Sequence, residues 1–444
     1  MLIDYSIENF RSIADSITVT MLPAKGSSKP GNLIKVNNNK NVKKLLKSCI
    51  IYGANASGKT NLIFALGAMK FLVINSKNFN AGDKLIGYLP FILDNDHLNK
   101  PTIFKVHFIK DDIEYKYSFS FNLDRVLTEE LSFSQKGKRE KYIFKRQNDD
   151  FKTFGDDNEL ERLFRVTGEN VLFLSKANNE YKPFKPIFEW FNSDIIITSS
   201  FPTNPFMLPL SPQFTIDYMN RSDDHKNKVL NLLHHADFDI FNISGKNIPF
   251  GTPKTLENLK SFLLSMTSEI NKSGIANKEI QTNFDRVQIQ GGFFPEFKTI
   301  RKKANSPDLV IQDFIPFESA GTNQFFNIIG LWLDVLQDEN KLLVIDEFDI
   351  RLHPELQFYL IQLFHDVEAN QKNSQLIFTS HNTQLLSRDV FRREQIVFTE
   401  KNPKTQSTEL YSLYDYEKRQ DRSLEKNYFL GRYGALPDIK YGEI

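Results

Sequence analysis

Apolar and polar residues alternate over several stretches of the first half of the chain, and this period of two residues is typical of β-strands. Ile3, Tyr5 and Ile7 alternate with polar residues near the start of the chain. The alternation returns between residues 91 and 146, where it ends in a hairpin over residues 131–144 with a basic tip. The pattern therefore predicts a β-rich lobe in this part of the chain.

Buried strands and helical periodicity alternate in much of the remaining sequence. Continuous apolar runs predict short strands buried on both faces over residues 49–52 and 342–345. A further strand is predicted over residues 375–378. Apolar residues at helical spacing predict helices over residues 60–73, 322–338 and 354–367. Strands that alternate with helices in this way predict an α/β fold.

The segment 203–287 has a different character, with several prolines followed by helical stretches at residues 225–235 and 256–270. We interpret this segment as a helical insertion. The predicted organisation is a first lobe over residues 1–200, an insertion over 201–290 that provides partner or dimer contacts, and a second lobe over 291–444.

Composition excludes several classes of function. Lys and Arg total 56 against 55 for Asp and Glu, so the net charge of +1 excludes nucleic-acid binding by bulk positive charge and leaves only local patches. The single cysteine, Cys49, excludes a disulfide scaffold and a cysteine-based metal site. The start of the chain lacks a secretory signal, and the apolar stretch 62–74 is too short for a membrane span. These features predict a soluble cytoplasmic protein with no membrane partner.

The strongest chemical signal is a glycine-rich loop between the strand predicted over 49–52 and the helix predicted over 60–73. Its sequence GANASGKT matches the P-loop pattern G-x-x-x-x-G-K-[ST], and the strand–loop–helix context disfavours a chance match. In a P-loop the backbone N–H groups surround phosphate oxygens, the lysine reaches the β- and γ-phosphates, and the Thr hydroxyl ligates Mg²⁺. The predicted nucleotide-binding residues are Gly53, Asn55, Ala56, Ser57, Gly58, Lys59, Thr60 and Asn61, and Lys59 is also a predicted catalytic residue.

Two further strand ends carry candidate catalytic groups. The apolar run 342–345 ends in Asp346 and Glu347, and a buried parallel strand delivers such acids to the sheet edge where ligands bind. We predict that Asp346 holds Mg²⁺ through water and that Glu347 orients and deprotonates the attacking water. His381 follows the strand predicted over 375–378, where a neutral imidazole can hydrogen-bond the γ-phosphate; the alternative is an ordinary loop histidine.

A fourth segment, FESAGTNQ at residues 317–324, directly precedes a predicted helix. Small residues at a helix N-terminus form an anion site, whereas the local alternative is a helix N-cap supplied by Ser319 or Thr322. In a chain that already has a P-loop, a second phosphate site indicates a loop that contacts the nucleotide of a partner subunit. Ser319, Gly321 and Thr322 are therefore candidate nucleotide contacts.

Taken together, these motifs resemble those of the ABC-type ATPase heads of the SMC and RecF superclass. Their order is P-loop, long gap, S-A-G-T-N segment, D-E strand and switch histidine, and the start IENFRS is similar to the first strand and turn of that family. More narrowly, the chain resembles the abortive-infection bacterial ATPases of the OLD-like, RloA-like branch. This narrower resemblance rests on the D-E pair followed by residues 352–354, on residues 392–396 and on the tail 428–437.

The resemblance implies an α/β fold in the form of an ABC-type P-loop ATPase head with a β-rich lobe and a helical insertion. It also implies ATP and Mg²⁺ as ligands, and a homodimer or higher homo-oligomer whose heads enclose ATP. In such an assembly Ser319 and Gly321 would contact the γ-phosphate bound by the opposite subunit, and Asp349 would also act across the dimer. The segment departs from transporter-type ABC proteins, because it reads SAGTNQ rather than LSGGQ.

Three classes of function remain open from the sequence. The leading hypothesis is an ATP-hydrolysing switch that oligomerises around ATP and controls a separate effector, a nuclease or a toxin, in anti-phage defence. The alternative is a RecF-like DNA-binding repair ATPase, which the basic segments 40–47 and 136–146 suggest. Solvated loop charge would also explain these segments. In the leading hypothesis DNA is only a secondary partner.

A third class, a stand-alone P-loop kinase or GTPase, would leave Ser319–Gln324 and His381 without roles. The sequence has no N-K-x-D guanine-specificity motif, which favours ATP over GTP.

Overall fold

The structure, a computed structural model, describes residues 1–436 apart from residues 27, 38, 40, 136–137, 155–157, 201–205, 250–292, 315–317, 388 and 417–423. The chain divides into two compact units, one formed by Met1–Leu210 with Trp332–Ile444 and the other by Ser211–Leu331. The first unit contains the P-loop, and the second unit contains most of the predicted insertion.

The described strands belong to both units. In chain order they are β1 Leu2–Glu8, β2 Ile17–Thr20, β3 Leu33–Lys35, β4 Lys44–Leu46, β5 Ser48–Gly53, β6 Thr102–Lys110, β7 Ile113–Phe121, β8 Val126–Gln135, β9 Lys141–Gln147, β10 Asp150–Thr153, β11 Ile195–Ser199, β12 Leu208–Pro209, β13 Asn242–Pro249, β14 Phe293–Lys302, β15 Leu309–Asp313, β16 Leu342–Asp346, β17 Gln375–Thr379, β18 Ile396–Lys401 and β19 Thr408–Ser412.

The described α-helices vary widely in length, and several have only one turn. They are α1 Lys59–Asn75, α2 Asn95–Leu98, α3 Asn158–Arg165, α4 Phe173–Ala177, α5 Lys185–Glu189, α6 Pro212–Met219, α7 Asp223–His235, α8 Ala320–Gln337, α9 Pro354–His365, α10 Gln384–Ser387, α11 Leu413–Tyr416 and α12 Leu424–Phe429. Within the residues that the structure describes, none of the helices combines the length and the apolar character needed to cross a membrane.

A seven-stranded sheet with the order β12-β11-β16-β17-β5-β18-β19 forms the centre of the first unit. All of its neighbouring strands are parallel except β18 and β19. Strands β5, β16 and β17 are buried along their whole lengths, as expected for parallel strands that are covered on both faces. The predicted buried strands and the α/β fold are therefore confirmed.

A second seven-stranded sheet, antiparallel throughout, has the order β10-β9-β8-β7-β6-β1-β2. It confirms the predicted β-rich lobe and the hairpin over 131–144, which is formed by β8 and β9. One continuous apolar core joins this sheet to α1 and to the parallel sheet, and phenylalanines such as Phe104, Phe108 and Phe119 are among its largest fully buried side chains. Because α1 lies in this core, the helix that follows the P-loop is held firmly in the first unit.

The second unit combines α6, α7 and the start of α8 with a small antiparallel sheet of order β13-β14-β15. Helices α6 and α8 approach closely at Gly330, whose N–H donates a hydrogen bond of 3.0 Å to the Thr215 hydroxyl; a Cβ at Gly330 would collide with the Thr215 backbone. The insertion predicted as helical over 201–290 thus contains strand β13 as well as two helices. The second helical stretch expected in it, at 256–270, lies outside the described residues.

Candidate nucleotide-binding site

The P-loop joins the carboxyl end of β5 to the first residue of α1, at one edge of the parallel sheet. Its turn needs two residues with positive φ, namely Ala56 at 63° and Gly58 at 107°. Gly58 is the N-cap of α1, and its carbonyl oxygen accepts hydrogen bonds from the N–H groups of Asn61 and Leu62 at 3.0 and 3.2 Å. The first turn of a 17-residue helix therefore faces the loop, and this places free N–H groups and the positive end of the helix dipole where phosphates bind.

A chain of hydroxyl groups from the neighbouring strands fixes the loop. Thr399 on β18 donates to the Tyr52 carbonyl at 3.2 Å and shares a hydrogen bond of 2.6 Å with the Ser57 hydroxyl. Thr408 on β19 donates to the Ser57 carbonyl at 2.9 Å and shares a hydrogen bond of 2.7 Å with Ser12. The loop shape is therefore held from outside its own sequence, and a rigid shape is what a phosphate cradle needs.

Asn61, a predicted nucleotide contact, has a different partner in the structure. Its side-chain amide donates a hydrogen bond of 2.6 Å to the Ser12 hydroxyl, which lies in the turn after β1. The amide therefore ties α1 to the hydroxyl chain, whereas Asn55 and Ala56 lie exposed at the tip of the loop. Ser57 is only 2% exposed, and its hydroxyl is bound to Thr399 in the row of hydroxyl groups. The group of Ser57 that faces the phosphates is therefore its backbone rather than its hydroxyl.

Replacing Gly58 by Ala is expected to abolish nucleotide binding and to destabilise the fold by about 1–3 kcal/mol. A Cβ at this position would fall within contact distance of the Thr408 hydroxyl group, at a φ that L-residues adopt poorly. Gly82→Ala is the matched control, because Gly82 also has a positive φ of 86° but a Cβ there meets nothing within 4 Å. Thermal unfolding and nucleotide titration of both variants measure the two effects. Nucleotide binding that survives equally in both variants would contradict the assigned loop.

Lys59 turns back onto the loop that precedes it. Its ammonium group donates to the carbonyl oxygens of Gly53 and Ala54 at 2.8 and 3.0 Å. Burial lowers the pKa of this ammonium group, and the negative charges of Asp346, Asp349 and Glu347 partly oppose that shift. The cation thus occupies the space beside the loop together with the predicted acids, where it can exchange carbonyl partners for phosphate oxygens.

Asp346 and Glu347 lie where β16 ends, and a threonine from the adjacent strand binds both. The Thr379 hydroxyl on β17 donates to Asp346 Oδ1 at 2.6 Å, and it accepts the Glu347 N–H at 2.7 Å. Glu347 has a φ of 57°, which turns the chain sharply at the end of the strand. Burial raises the pKa of the Glu347 carboxyl group, and the charges of Asp346 and Asp349 raise it further. A carboxylate of raised basicity at this position can accept a proton from water.

The two positions predicted to bind Mg²⁺ have the oxygen donors that this hard cation prefers. Asp346 is buried to 3% exposure and uses only one carboxylate oxygen for Thr379. Among the described residues, neither the second oxygen of Asp346 nor the hydroxyl of Thr60 has a hydrogen-bond partner. Thr60 is the second residue of α1 and is half-buried at the base of the loop. The donor set therefore fits Mg²⁺ bound together with a nucleoside triphosphate.

His381 follows β17 and is exposed to solvent beside these groups. Its backbone N–H donates to Asp349 Oδ2 at 3.0 Å, and the pKa of its imidazole lies below the ordinary value because of partial desolvation and the charge of Lys59. The lowered pKa favours the neutral ring, which keeps one N–H that can donate to a phosphate. The role across a dimer that the resemblance implies for Asp349 stays a prediction, and within its own chain Asp349 accepts the backbone N–H of His381.

The segment after the switch histidine is anchored by a buried glutamine on α9. Gln357 donates to the carbonyl oxygens of Asp349 and Leu352 at 3.3 and 2.8 Å, and it accepts the Asn382 side-chain amide at 2.8 Å. One side chain thus holds the loop after Glu347 and the loop after β17 together. Nothing in the sequence pattern around Gln357 indicates this role.

The predicted phosphate contacts Ser319, Gly321 and Thr322 lie in the second unit, at the start of α8. The Ser319 hydroxyl accepts the Thr322 N–H at 3.1 Å and shares a hydrogen bond of 2.8 Å with the Thr322 hydroxyl. The local alternative, an N-cap supplied by Ser319, is therefore present. Arg301 holds the preceding residue, Glu318, through two hydrogen bonds of 2.9 and 2.7 Å. Ser319 itself is exposed.

The sequence-predicted groups of the first unit converge on one sheet edge, since Lys59, Asp346, Glu347 and His381 influence one another electrostatically. The residues that sequence reasoning missed are Thr379, Thr399, Thr408, Ser12 and Gln357. Three of them, Thr379, Thr399 and Thr408, lie on neighbouring strands that are remote in sequence from the residues they bind, so only the strand register reveals them. A threonine directly after a predicted buried strand is too common a pattern to have identified Thr379.

A family model described as "AAA domain, putative AbiEii toxin, Type IV TA system" matches residues 49–185 and 238–387. The matched ranges begin inside β5 and include the P-loop, the end of β16 and His381. No curated protein matches the chain.

Among solved structures, the chain is similar to an SMC head bound to the C-winged helix domain of ScpA. The identity is 14% and the TM-score 0.39, over 94% of this chain and 99% of that chain. It is also similar to the SMC head domain from Thermotoga maritima, with 11% identity and a TM-score of 0.37 over 93% of this chain and 98% of that chain. Likenesses this distant carry no argument about the chemistry of the site.

Proposed function

The chain belongs to this AAA-domain family, whose model matches well over half of its residues, and on that premise we propose that the protein is an ATP-hydrolysing molecular switch. The observation that carries the proposal is the convergence of Lys59, Asp346 and Glu347 at the carboxyl edge of the parallel sheet. This edge is where open α/β sheets bind ligands, and the P-loop supplies a phosphate site there.

The residues of the site divide the work of hydrolysis among them. The loop N–H groups and the first turn of α1 bind the phosphates, and Lys59 leaves its two loop carbonyls to contact the β- and γ-phosphates. Glu347 orients the attacking water and accepts its proton, and the neutral His381 donates to the γ-phosphate. Mg²⁺, held through Thr60 and through water on Asp346, neutralises charge on the phosphates when it is bound with ATP.

The switch acts through assembly in this proposal. ATP bound between two heads would join two copies of the chain into a homodimer or a larger homo-oligomer, and hydrolysis would release them. The start of α8, where Ser319 is exposed beside Gly321 and the buried Thr322, is the surface that would contact the nucleotide of the other copy. The family description and the abortive-infection resemblance support a role in anti-phage defence, in which the assembly controls a separate nuclease or toxin in the cytoplasm.

Replacing Ser319 by Arg is expected to block ATP-dependent assembly while ATP still binds each subunit. An arginine there would place a long side chain on the surface that must approach the other copy. Ala304→Arg is the matched control, because Ala304 lies in an exposed turn of the same unit. Size-exclusion chromatography with light scattering, on variants that also carry Glu347→Gln to preserve bound ATP, measures the assembly. Equal assembly of the two variants would remove Ser319 from the interface.

One observation keeps a second candidate function open, that of a DNA-binding repair ATPase. At the tip of the β8–β9 hairpin, Glu140 is engaged by Lys116 and Ser132 at 2.6 and 2.7 Å. In the described part of the chain, the tip residues Lys138, Arg139 and Lys141 have no acidic partner. Phosphate contacts by these cations would give DNA affinity that falls steeply as salt concentration rises. The absence of DNA binding at low salt would remove this candidate.

A further inference from the structure

Thr379 is the last residue of β17 and is buried to 1% exposure beside the acids of the site. The register of the parallel sheet places it next to Ile51 on β5, one position beyond the pair formed by Ile345 and Phe378. It is therefore the side chain that lies between the P-loop strand and the strand that carries Asp346.

The hydroxyl group of Thr379 is fully used by its two neighbours. The hydroxyl donates a hydrogen bond of 2.6 Å to Asp346 Oδ1, and its oxygen accepts the backbone N–H of Glu347 at 2.7 Å. Its carbonyl oxygen accepts the N–H of Phe348 at 3.2 Å. One residue thus binds three consecutive positions, and the middle one has the positive φ of 57° that directs the Glu347 side chain.

We propose that Thr379 is a positioning residue for ATP hydrolysis, whose hydroxyl fixes the Asp346 carboxylate and the peptide of Glu347 in their reactive orientations. The proposal rests on the ATPase function proposed above. With Oδ1 bound to Thr379, Asp346 keeps its other oxygen, which would help to hold a cation. With its N–H held, Glu347 cannot relax to an extended backbone, which would swing its carboxylate away from the attacking water.

Three variants separate positioning from simple packing. Thr379→Val keeps the shape and removes both hydrogen bonds, whereas Thr379→Ser keeps the hydroxyl and removes only a methyl group. Thr198→Val is the matched control, because Thr198 is a fully buried threonine of the same sheet whose hydroxyl donates to the Leu208 carbonyl, away from the acids. All are purified as the full chain, and their thermal stability is measured first.

We expect Thr379→Val to lower kcat by roughly 10- to 100-fold, the scale of a small misplacement of catalytic groups, with little change in KM or in the affinity for a fluorescent ATP analogue. Thr379→Ser restores kcat to within about threefold, and Thr198→Val leaves it unchanged. In a Glu347→Gln background, measured in single turnovers, Thr379→Val adds a smaller loss than in the wild type, because one of the two groups that it positions is already gone.

The outcomes distinguish this inference from the proposed function. A wild-type rate in Thr379→Val, an equal loss in Thr379→Ser, or a full additional loss in the Glu347→Gln background would each overturn the positioning role while hydrolysis itself stands. If Thr379→Val does not fold, Thr379→Ala replaces it in the comparison with Thr379→Ser, because alanine also removes both hydrogen bonds. A wild-type chain that binds ATP and never hydrolyses it would overturn the proposed function, and the positioning role with it.

Discussion

Replacing Glu347 by Gln is expected to slow ATP hydrolysis by roughly 10²- to 10⁴-fold, the usual contribution of a positioned general base. The glutamine keeps the size of the side chain and the backbone hydrogen bond from the Glu347 N–H to Thr379, so the loop geometry is retained. What is lost is the carboxylate, whose raised pKa, caused by burial and by the neighbouring acids, makes it a better proton acceptor. ATP should therefore bind normally and remain intact.

The measurement is phosphate release together with the nucleotide content of the purified variant. Glu368→Gln is the matched control, since Glu368 is an exposed glutamate of the same unit. We expect the Glu347 variant to accumulate bound ATP and to favour the assembled form, and the Glu368 variant to behave as wild type. Hydrolysis at the wild-type rate in the Glu347 variant would show that another group activates the water. Asp349 is the first candidate, because its buried Oδ1 has no hydrogen-bond partner among the described residues.

Replacing Lys59 by Ala is expected to weaken nucleotide binding by about 10- to 100-fold, which corresponds to the loss of a charge-assisted hydrogen bond, and to abolish turnover. In the structure the ammonium group is bound to the Gly53 and Ala54 carbonyls, so phosphate binding would exchange two neutral acceptors for charged ones. The alanine variant loses that exchange and leaves Asp346 and Glu347 without a nearby cation.

Isothermal titration with ATP, in the presence and absence of Mg²⁺, measures this effect directly. Lys182→Ala is the control, because Lys182 is exposed in the same unit and remote in sequence from the loop. The shift in Tm that ATP produces in the wild type should disappear in the Lys59 variant and persist in the control. Wild-type affinity in the Lys59 variant would contradict the assigned P-loop.

The sequence alone was sufficient to predict the parts of the site that a local pattern encodes. The loop Gly53–Thr60 carries its own motif, and the buried strand before Asp346 has a composition that predicts its burial. The α/β fold followed from the alternation of such strands with helices, because each period is a local property of the chain. For the same reason the ends of α1, α8 and α9 were predicted to within a few residues.

The parts that the sequence did not predict depend on strand register and on long-range contacts. Thr379, Thr399 and Thr408 act on the loop and the acids from neighbouring strands, and no spacing in the sequence indicates which hydroxyl meets which carbonyl. The insertion was predicted as helical from the periodicity at residues 225–235 and 256–270, whereas β13 pairs with a strand more than forty residues later, and that pairing leaves no local signal. Contacts of this kind become predictable only once the sheet order is known.

Saturable release of phosphate from ATP by the purified chain tests the central claim most directly. We expect Mg²⁺-dependent turnover of ATP at neutral pH in the wild type, and loss of that turnover both in Lys59→Ala, which binds poorly, and in Glu347→Gln, which binds normally. No phosphate release from a wild-type chain that demonstrably binds ATP, or an equal rate in Glu347→Gln, would contradict the account of this site as one that hydrolyses ATP.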